Sequence, residues 1–239
     1  MAAKTLLVFG ARHLGRTIAR ELAGAGWNAS AVALTDETIA SFREAVPEGL
    51  GIVADATQPD EVERAFAETT GRFGAVDLVV DVVSGRPRGG FGGGTLAEAS
   101  DDAMEPYLDE LLPAVFNILR TGCRVLGEQG GGTIVQVTGG SSRRGMPGRG
   151  PWAAGAFGTR GLTQAAALEA RESGVHIALL IVDATIESDK TRERLQGRPP
   201  EQSAAEEDVV RAIAYLESQS PRAWTHELQI TPRLDRWVP

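Results

Sequence analysis

The chain has 239 residues, 42% of them hydrophobic, and a formal net charge of −8 at pH 7. This length suits one α/β domain over residues 1–239, the negative charge argues against a general nucleic-acid-binding protein, and no apolar run approaches the roughly 20 residues of a membrane span. The single cysteine, Cys123, excludes a disulfide framework and a cysteine-based zinc site.

Composition and the first residues also bear on origin and location. Residues 1–4 lead straight into an apolar segment, which predicts that no signal peptide is present and that the protein is cytoplasmic. Lys4 and Lys190 are the only lysines, and the other basic side chains that stay charged at neutral pH are arginines. With many alanines and glycines, this composition is typical of a GC-rich bacterial genome.

The first unit predicted along the chain is a strand, a glycine turn and a helix. The apolar run Thr5–Phe9 has the length of a strand, and a helical pattern begins at Arg16. Between them Gly10 permits a sharp turn, and Gly15 permits the helix start to lie close to the strand or a ligand. Such a unit aims backbone N–H groups and a helix N-terminus at a phosphate. The residues predicted to contact a dinucleotide here are Gly10, Arg12, His13, Leu14 and Gly15.

The end of the second predicted strand, Ala29–Leu34, bears on the choice between NAD and NADP. An acidic residue there binds the ribose 2′-hydroxyl of NAD and repels a 2′-phosphate. Neither of the last two residues of this strand is acidic, and Asp36 after it is better explained as part of a helix cap. Arg12 and His13 in the glycine turn favour NADP over NAD; the alternative is that both are solvated loop residues.

Strands and helices alternate along the rest of the chain. This alternation predicts an α/β fold, a single Rossmann-type doubly wound parallel sheet of about seven strands in the order 3-2-1-4-5-6-7 with helices on both faces. The polar segment 188–203 is predicted to form a short helix and a loop that act as a lid. Further strands are predicted at 50–54, 76–83, 133–138, 175–182 and 227–230, and further helices at 38–45, 58–69, 100–128 with a bend at Pro113, 151–171 and 204–217.

Two arginine-containing loops follow predicted strands, at the edge of the sheet where ligands bind in open α/β folds. The loop 84–94 is rich in glycine, and its arginines would hold an anionic substrate unless the loop is simply flexible. The loop 139–150 is either a second anion site or a solvated basic loop. We therefore expect a small-molecule ligand, with an anionic ligand as one alternative. The arginines concerned are Arg86, Arg88, Arg143, Arg144 and Arg149.

Four short motifs, together with the order of elements, relate the chain to a known family. They are Gly10-Ala11 with Leu14-Gly15, Asp55-Ala56-Thr57, Gly132-Thr133-Ile134-Val135, and Gly161-Leu162-Thr163 followed by Ala166-Ala167-Leu168-Glu169. The chain resembles the short-chain dehydrogenase/reductase family over nearly its whole length. The resemblance implies NAD(P) binding, with Asp55 against the adenine amino group and further cofactor contacts from Ala56, Ser84 and Ile186.

The residues that carry this family's chemistry are replaced. In the family a tyrosine moves the proton, and a lysine one helical turn later lowers the tyrosine pKa, since residues i and i+4 share a helix face. The tyrosine position falls on Trp152, whose indole is not a usable acid near neutral pH, and the lysine position falls on Ala156. The serine position falls near Gly139, with Ser141 and Ser142 close by.

Other landmarks of the family are altered too. The glycine motif is one residue short, lacks its middle glycine and carries Phe9 in place of threonine. The asparagine of the long helix falls near Leu111, with Asn117 displaced, and the Pro-Gly after the sixth strand is replaced by Asp183-Ala184. The family's NNAG segment is matched only by position, at 81–84.

Three functions follow as alternatives. The first is an NAD(P)-binding protein with degenerate catalytic residues, serving as a sensor, a ligand-binding protein or a silent subunit. The second is an active NADP-dependent oxidoreductase with a nonstandard proton donor, for which Asp183, Glu187, His13 and Ser141 are the candidates. The third is a non-redox lyase or cyclase that uses no nicotinamide cofactor.

The resemblance also implies an assembly. The long helix from Ser100 and the alanine-rich helix after Pro151 resemble the faces through which the family forms dimers and tetramers. We expect a homo-oligomer, with a hetero-oligomer containing an active relative as the alternative.

Overall fold

The chain folds around a seven-stranded, fully parallel sheet with helices on both faces. The computed structural model describes residues 3–85 and 94–235. The strands in chain order are β1 Thr5–Phe9, β2 Asn28–Ala33, β3 Leu50–Val53, β4 Leu78–Asp81, β5 Gly132–Gly139, β6 Val175–Val182, β7 Thr185–Ile186, β8 Ser203–Ala204 and β9 Glu227–Ile230. The helices are α1 Leu14–Gly24, α2 Asp36–Ala45, α3 Pro59–Phe73, α4 Leu112–Glu128, α5 Gly150–Ala170, α6 Arg192–Leu195 and α7 Glu206–Glu217.

The order of strands in the main sheet is β3-β2-β1-β4-β5-β6-β9, which confirms the predicted doubly wound topology. Two hydrophobic layers cover the sheet. One buries Ile18 of α1, Phe42 of α2 and Ile213 of α7, and the other buries Phe66 of α3 and Ile118 of α4. Because all strands are parallel, their carboxyl ends meet along one edge, where the candidate site lies.

The helix predicted over 100–128 begins later than expected. A π-helical segment, Pro106–Leu111, precedes α4, and the N–H of Leu112 donates to the carbonyl of Tyr107 five residues back. Pro113 has no N–H with which to continue the α-helical pattern into this segment. The expected bend is therefore a π-turn, a feature that often accompanies functional sites.

A second departure lies in the predicted lid segment. The two-residue strands β7 and β8 pair in parallel, with Thr185 opposite Ser203 and Ile186 opposite Ala204. This small ladder was not predicted from the sequence, and it joins the two ends of the segment 187–202. The segment itself contains α6 and a 3₁₀ turn at Pro200–Gln202, in agreement with the predicted short helix and loop.

The remaining differences concern the ends of elements. Helix α1 begins at Leu14, two residues before the predicted start, and α3 continues to Phe73, where Gly74 ends it with a φ of 95°. Strand β4 is shorter than the apolar run 76–83. In α2, Thr35 rather than Asp36 is the N-cap, and its side chain accepts a hydrogen bond from Thr38 N at 3.3 Å.

Candidate functional site

The glycine turn connects β1 to α1 at the centre of the sheet edge. Gly10 has a φ of +96°, which favours glycine, and a Cβ on Gly15 would lie 2.1 Å from the carbonyl oxygen of Gly10. The N–H groups of Gly10 and Ala11 both donate to the carbonyl of Val32, at 3.0 and 3.1 Å. Both predicted glycine roles, the sharp turn and the close approach, therefore have a geometric basis.

His13 occupies the N-cap position of α1 in an unusual backbone conformation. Its φ is 38°, the only positive φ of a non-glycine residue in the described part of the chain, and its side chain makes no capping hydrogen bond. Arg12 beside it is exposed, whereas Leu14 is half-buried. Residues 12–14 therefore stand at the N-terminus of a helix, where an anionic group is favoured.

The turn after β3 carries Asp55 and Ala56. Asp55 Oδ1 accepts a hydrogen bond from Thr57 N at 2.9 Å, which fixes the carboxylate in a local turn. Asn117 Nδ2 on α4 donates to the carbonyls of Ala56 and Thr57, at 3.1 and 3.0 Å. Asn117 is buried, and its two hydrogen bonds anchor this turn. In the sequence, Asn117 is displaced from the position expected for the family's asparagine.

The end of β4 lies directly beneath the glycine turn. A Cβ on Gly10 would lie 3.1 Å from Val82 Cγ2, and one on Gly15 would lie 3.2 Å from the same atom. Ser84 follows and is exposed. Asp81, the last residue of β4, is fully buried, and burial raises its pKa from 3.8 to about 7. No role of Asp81 was predicted from the sequence, although an acidic residue inside an otherwise apolar strand is unusual.

Gly139 and Trp152, predicted from the sequence to occupy the family's serine and tyrosine positions, lie near each other, and Ala156, predicted at the lysine position, lies on the same helix. A Cβ on Gly139, at the end of β5, would lie 3.9 Å from Cζ2 of Trp152 in the first turn of α5. Ala156 lies one turn further along α5 and is buried. The Trp152 ring contacts the ring of Tyr107 edge to face, with 5.7 Å between centroids. Tyr107 is buried and belongs to the π-helical segment, so an aromatic pair lines this position.

Asp183, the candidate replacement acid, forms a two-point ion pair. Its carboxylate lies 2.5 and 3.1 Å from the guanidinium nitrogens of Arg144, and Gln229 Nε2 donates to Oδ2 at 3.2 Å. Both carboxylate oxygens of Asp183 therefore have donors in this structure, and the side chain is held in place. Gly140 lies against this pair, since a Cβ there would be 2.0 Å from Asp183 Oδ1. The next residue, Ser141, is buried, and Ser142 Oγ donates to the carbonyl of Gly139 at 2.9 Å.

The other candidate residues lie at the rim of the site. Arg143 and Arg149 are exposed, and Arg86 and Arg88 lie outside the described residues. Ile186 belongs to β7, and Glu187 Oε1 accepts a hydrogen bond from Ser203 Oγ at 2.6 Å. Away from this rim, Tyr215 and His226 are exposed, and His176 is buried against Trp224.

A cleft of about 840 Å³ opens between α1 and the segment 187–198. His13, Arg16 and Thr17 form one wall, and the start of α7 adds Glu206. Arginines and carboxylates both line it, so its charge does not select anions over cations. In the described part of the chain, no cluster of three or more His, Cys, Asp or Glu residues is arranged to hold a metal ion.

The parallel sheet and the loops at the carboxyl ends of its strands define a Rossmann-type α/β protein. Its candidate site lies at the carboxyl ends of β1, β4, β5 and β6. A family model described as short chain dehydrogenase matches residues 4–197, and the chain belongs to this family. Over residues 3–85 and 94–235, none of the helices has both the length and the apolar character needed to cross a bilayer.

Among similar proteins, a Streptomyces coelicolor protein named "Putative ketoacyl reductase" is 31% identical over 178 residues, covering 72% of this chain and 66% of that protein. The 3-oxoacyl-[acyl-carrier-protein] reductase FabG of Staphylococcus epidermidis is 25% identical over 232 residues, covering 92% and 93% of the two chains. A crystal structure of an actinorhodin polyketide ketoreductase variant with NADPH has a TM-score of 0.84 and 25% identity, covering 99% of this chain and 100% of that one.

Proposed function

We propose that the protein binds a nicotinamide dinucleotide, NADPH in preference to NADH, and does not reduce carbonyl groups at the rate of an ordinary short-chain reductase. The observation that carries this proposal is the composition of α5. The helix contains neither tyrosine nor lysine, and Trp152 and Ala156 stand one turn apart beside Gly139. A member of this type would act as a sensor, a ligand-binding protein or a silent subunit.

Nucleotide binding is supported by the glycine turn and by the relatives. The close contact between Gly15 and Gly10 leaves the N-terminus of α1 open to a phosphate. Arg12 is exposed beside it and is suited to a 2′-phosphate. The related ketoreductase was solved with NADPH, and the glycine turn of this chain lies at the corresponding edge of the same fold.

Loss of the proton path is supported by elimination over the whole chain. The only tyrosines are Tyr107 and Tyr215, and the fourth residue after each is Leu111 and Gln219, so no YxxxK pair occurs. Asp183 is engaged by Arg144. General acid–base catalysis contributes about 10²–10⁴-fold to rate, so NADPH oxidation is expected to be slower by at least that factor.

An active oxidoreductase is the second candidate, favoured by the reductase names of the relatives. In that case one of the candidate acids replaces tyrosine, and a substitution of that acid, such as Asp183→Asn, would abolish turnover while leaving NADPH affinity unchanged. A small-molecule ligand, anionic or not, and a cytoplasmic location complete the proposal.

The test is a titration of the purified full chain with NADPH and NADH, read by energy transfer from tryptophan to nicotinamide and checked by calorimetry. Trp152 lies at the site edge, whereas Trp27 precedes β2 at the opposite edge and Trp224 stacks on His176 at the start of β6. We expect the energy transfer to saturate with added nucleotide, with a lower dissociation constant for NADPH than for NADH. The transfer should be strongly reduced in Trp152→Phe and unchanged in Trp27→Phe.

An assay of NADPH oxidation with a panel of carbonyl compounds then distinguishes the binding protein from the active oxidoreductase. Binding without NADPH oxidation supports the proposal, and oxidation at the rates of ordinary reductases would replace it with the second candidate. Failure to bind either nucleotide at millimolar concentration would remove both and leave a non-redox use of the cleft.

A further inference from the structure

Two buried oxygens without donors belong to residues that are neighbours in register on β4 and β5. Asp81 Oδ1 accepts a hydrogen bond from Val83 N at 2.8 Å, but Oδ2 is buried and has no partner. Gln136, its neighbour in register on β5, donates through Nε2 to the carbonyl of Val137 at 3.4 Å, which leaves Oε1 buried without a donor. Paired residues of parallel strands point to the same face, and the Gln136 carboxamide contacts the Asp81 carboxyl.

A single proton resolves both deficits. An ionised carboxylate and a carboxamide oxygen are both acceptors, and a buried acceptor without a donor costs free energy. A protonated carboxyl has one O–H donor, and the carboxamide of Gln136, the neighbour in register on β5, offers Oε1 as an acceptor. The neutral acid also avoids burying a charge.

In the part of the chain that the structure describes, no charged side chain compensates for the burial of Asp81. Burial raises the pKa of Asp81 to about 7, and the hydrogen bond from Val83 and the polar contact with Gln136 only partly offset the effect of burial. On β1 its neighbour in register is Phe9, and in the hydrophobic cluster on this face the titratable members are the Tyr107 hydroxyl and the Cys123 thiol. Among the described residues no cation contributes to the shift.

We propose that Asp81 and Gln136 form a proton-dependent latch beneath the glycine turn. With its proton, Asp81 donates to Gln136 Oε1 and holds the end of β4 in place. When the proton passes to solvent, a buried carboxylate without a cation remains, and the end of β4 moves to admit water. Because Val82 contacts Gly10 and Gly15, this movement disturbs the turn that the nucleotide uses.

The latch predicts two effects of pH. The folded chain binds this proton more tightly than the unfolded chain, so stability falls as pH rises from about 4 to about 7 and is level above that. The effect on nucleotide affinity rests on the proposed function, whereas the effect on stability does not. If nucleotide binding requires the proton, the dissociation constant for NADPH rises up to about tenfold per pH unit above neutrality.

The test compares the full chain with Asp81→Asn and with the control Asp77→Asn. Asp77 is half-buried just before β4, and its Oδ2 accepts a hydrogen bond from Thr5 N at 2.7 Å. Infrared difference spectra between about pH 5 and pH 9 record the carbonyl band of a protonated carboxylic acid, thermal unfolding records stability, and fluorescence titration records NADPH affinity.

In the wild-type chain and in Asp77→Asn, we expect an infrared band of a protonated carboxylic acid that disappears near neutral pH. In Asp81→Asn we expect this band to be absent at every pH. The same variant should also lose the fall in stability between about pH 4 and pH 7. No such band in the wild-type chain at low pH would overturn the latch, and this holds even if Asp81→Asn does not fold. A pH profile of unfolding shared by wild type and Asp81→Asn would also overturn it. If NADPH binds at no pH, the proposed function fails while the infrared and unfolding results still decide the latch.

Discussion

At the scale of single residues, the candidate site combines the positive φ of His13 with the side chains of Trp152 and Ala156 on α5 and an ion pair between Arg144 and Asp183. Trp152 and Ala156 were predicted to occupy the tyrosine and lysine positions from their distance to Gly161-Leu162-Thr163, and the structure places all five residues on one continuous helix. The partners of Asp183 could not, because Arg144 and Gln229 come from a different loop and a different strand. The sequence likewise held no sign that His13 adopts a positive φ.

The backbone of His13 leads to a prediction about stability. A non-glycine residue outside the favoured regions costs about 1–3 kcal/mol. His13→Gly is therefore expected to raise the free energy of unfolding by about 1 kcal/mol, after the entropic cost of glycine, as measured by urea denaturation.

Arg12→Gly is the matched control, because Arg12 is the adjacent exposed residue and its φ is not positive. There the substitution only adds freedom to the unfolded chain and should leave stability unchanged or lower it. Equal effects of the two variants would show that His13 is not strained.

At the scale of elements, the order of strands and helices was predictable, whereas their interruptions were not. Apolar runs and helical periodicity are local properties, so β6 and β9 were placed with their observed ends. The π-helical segment and the β7–β8 ladder depend on contacts far along the chain. A Cβ on Gly85, for example, would lie 2.4 Å from the carbonyl oxygen of Pro106, so the π-segment packs on the residue that follows Ser84.

Helix α1 offers a matched pair of glycines. In Gly15→Ala the new methyl would lie 2.1 Å from the Gly10 carbonyl oxygen, so the turn must open. We expect a loss of about 2–3 kcal/mol in the free energy of unfolding and a loss of NADPH binding, measured by urea denaturation and fluorescence titration.

Gly24→Ala is the control at the other end of the same helix, where a Cβ meets nothing within 4 Å. It should stabilise the protein by up to about 1 kcal/mol and leave NADPH binding unchanged. If Gly15→Ala were as stable as Gly24→Ala, the close contact with the Gly10 carbonyl oxygen would not require a glycine at position 15.

At the scale of the whole molecule, the chain exposes apolar side chains on two adjacent helices. Phe116 on α4 is 48% exposed, and Phe157 and Leu168 on α5 are 45% and 63% exposed. Exposed apolar groups that share a face are typical of an interface. These are the helices for which an assembly was predicted from the sequence, and the homo-oligomer remains a prediction.

Introducing negative charges on this apolar face of α5 tests the predicted oligomer. Phe157→Asp combined with Leu168→Asp should convert a dimer or tetramer to monomers in sedimentation velocity, because a buried unpaired carboxylate is unfavourable. Tyr215→Asp on α7, where the side chain is 54% exposed, should leave the oligomer intact. A wild-type monomer at micromolar concentration would contradict the prediction.

The sequence by itself determined the order of the sheet, the glycine turn and the lack of a tyrosine–lysine pair, because these follow from periodicity along the chain and from residue identity. Only the tertiary structure decided which groups meet at the carboxyl edge. It placed Asn117 on the turn after β3, Arg144 on Asp183, and Asp81 in the interior beside Gln136. The physical reason is that hydrogen bonds, ion pairs and the loss of water around a carboxyl depend on neighbours in space, which distant segments of the chain supply only after folding.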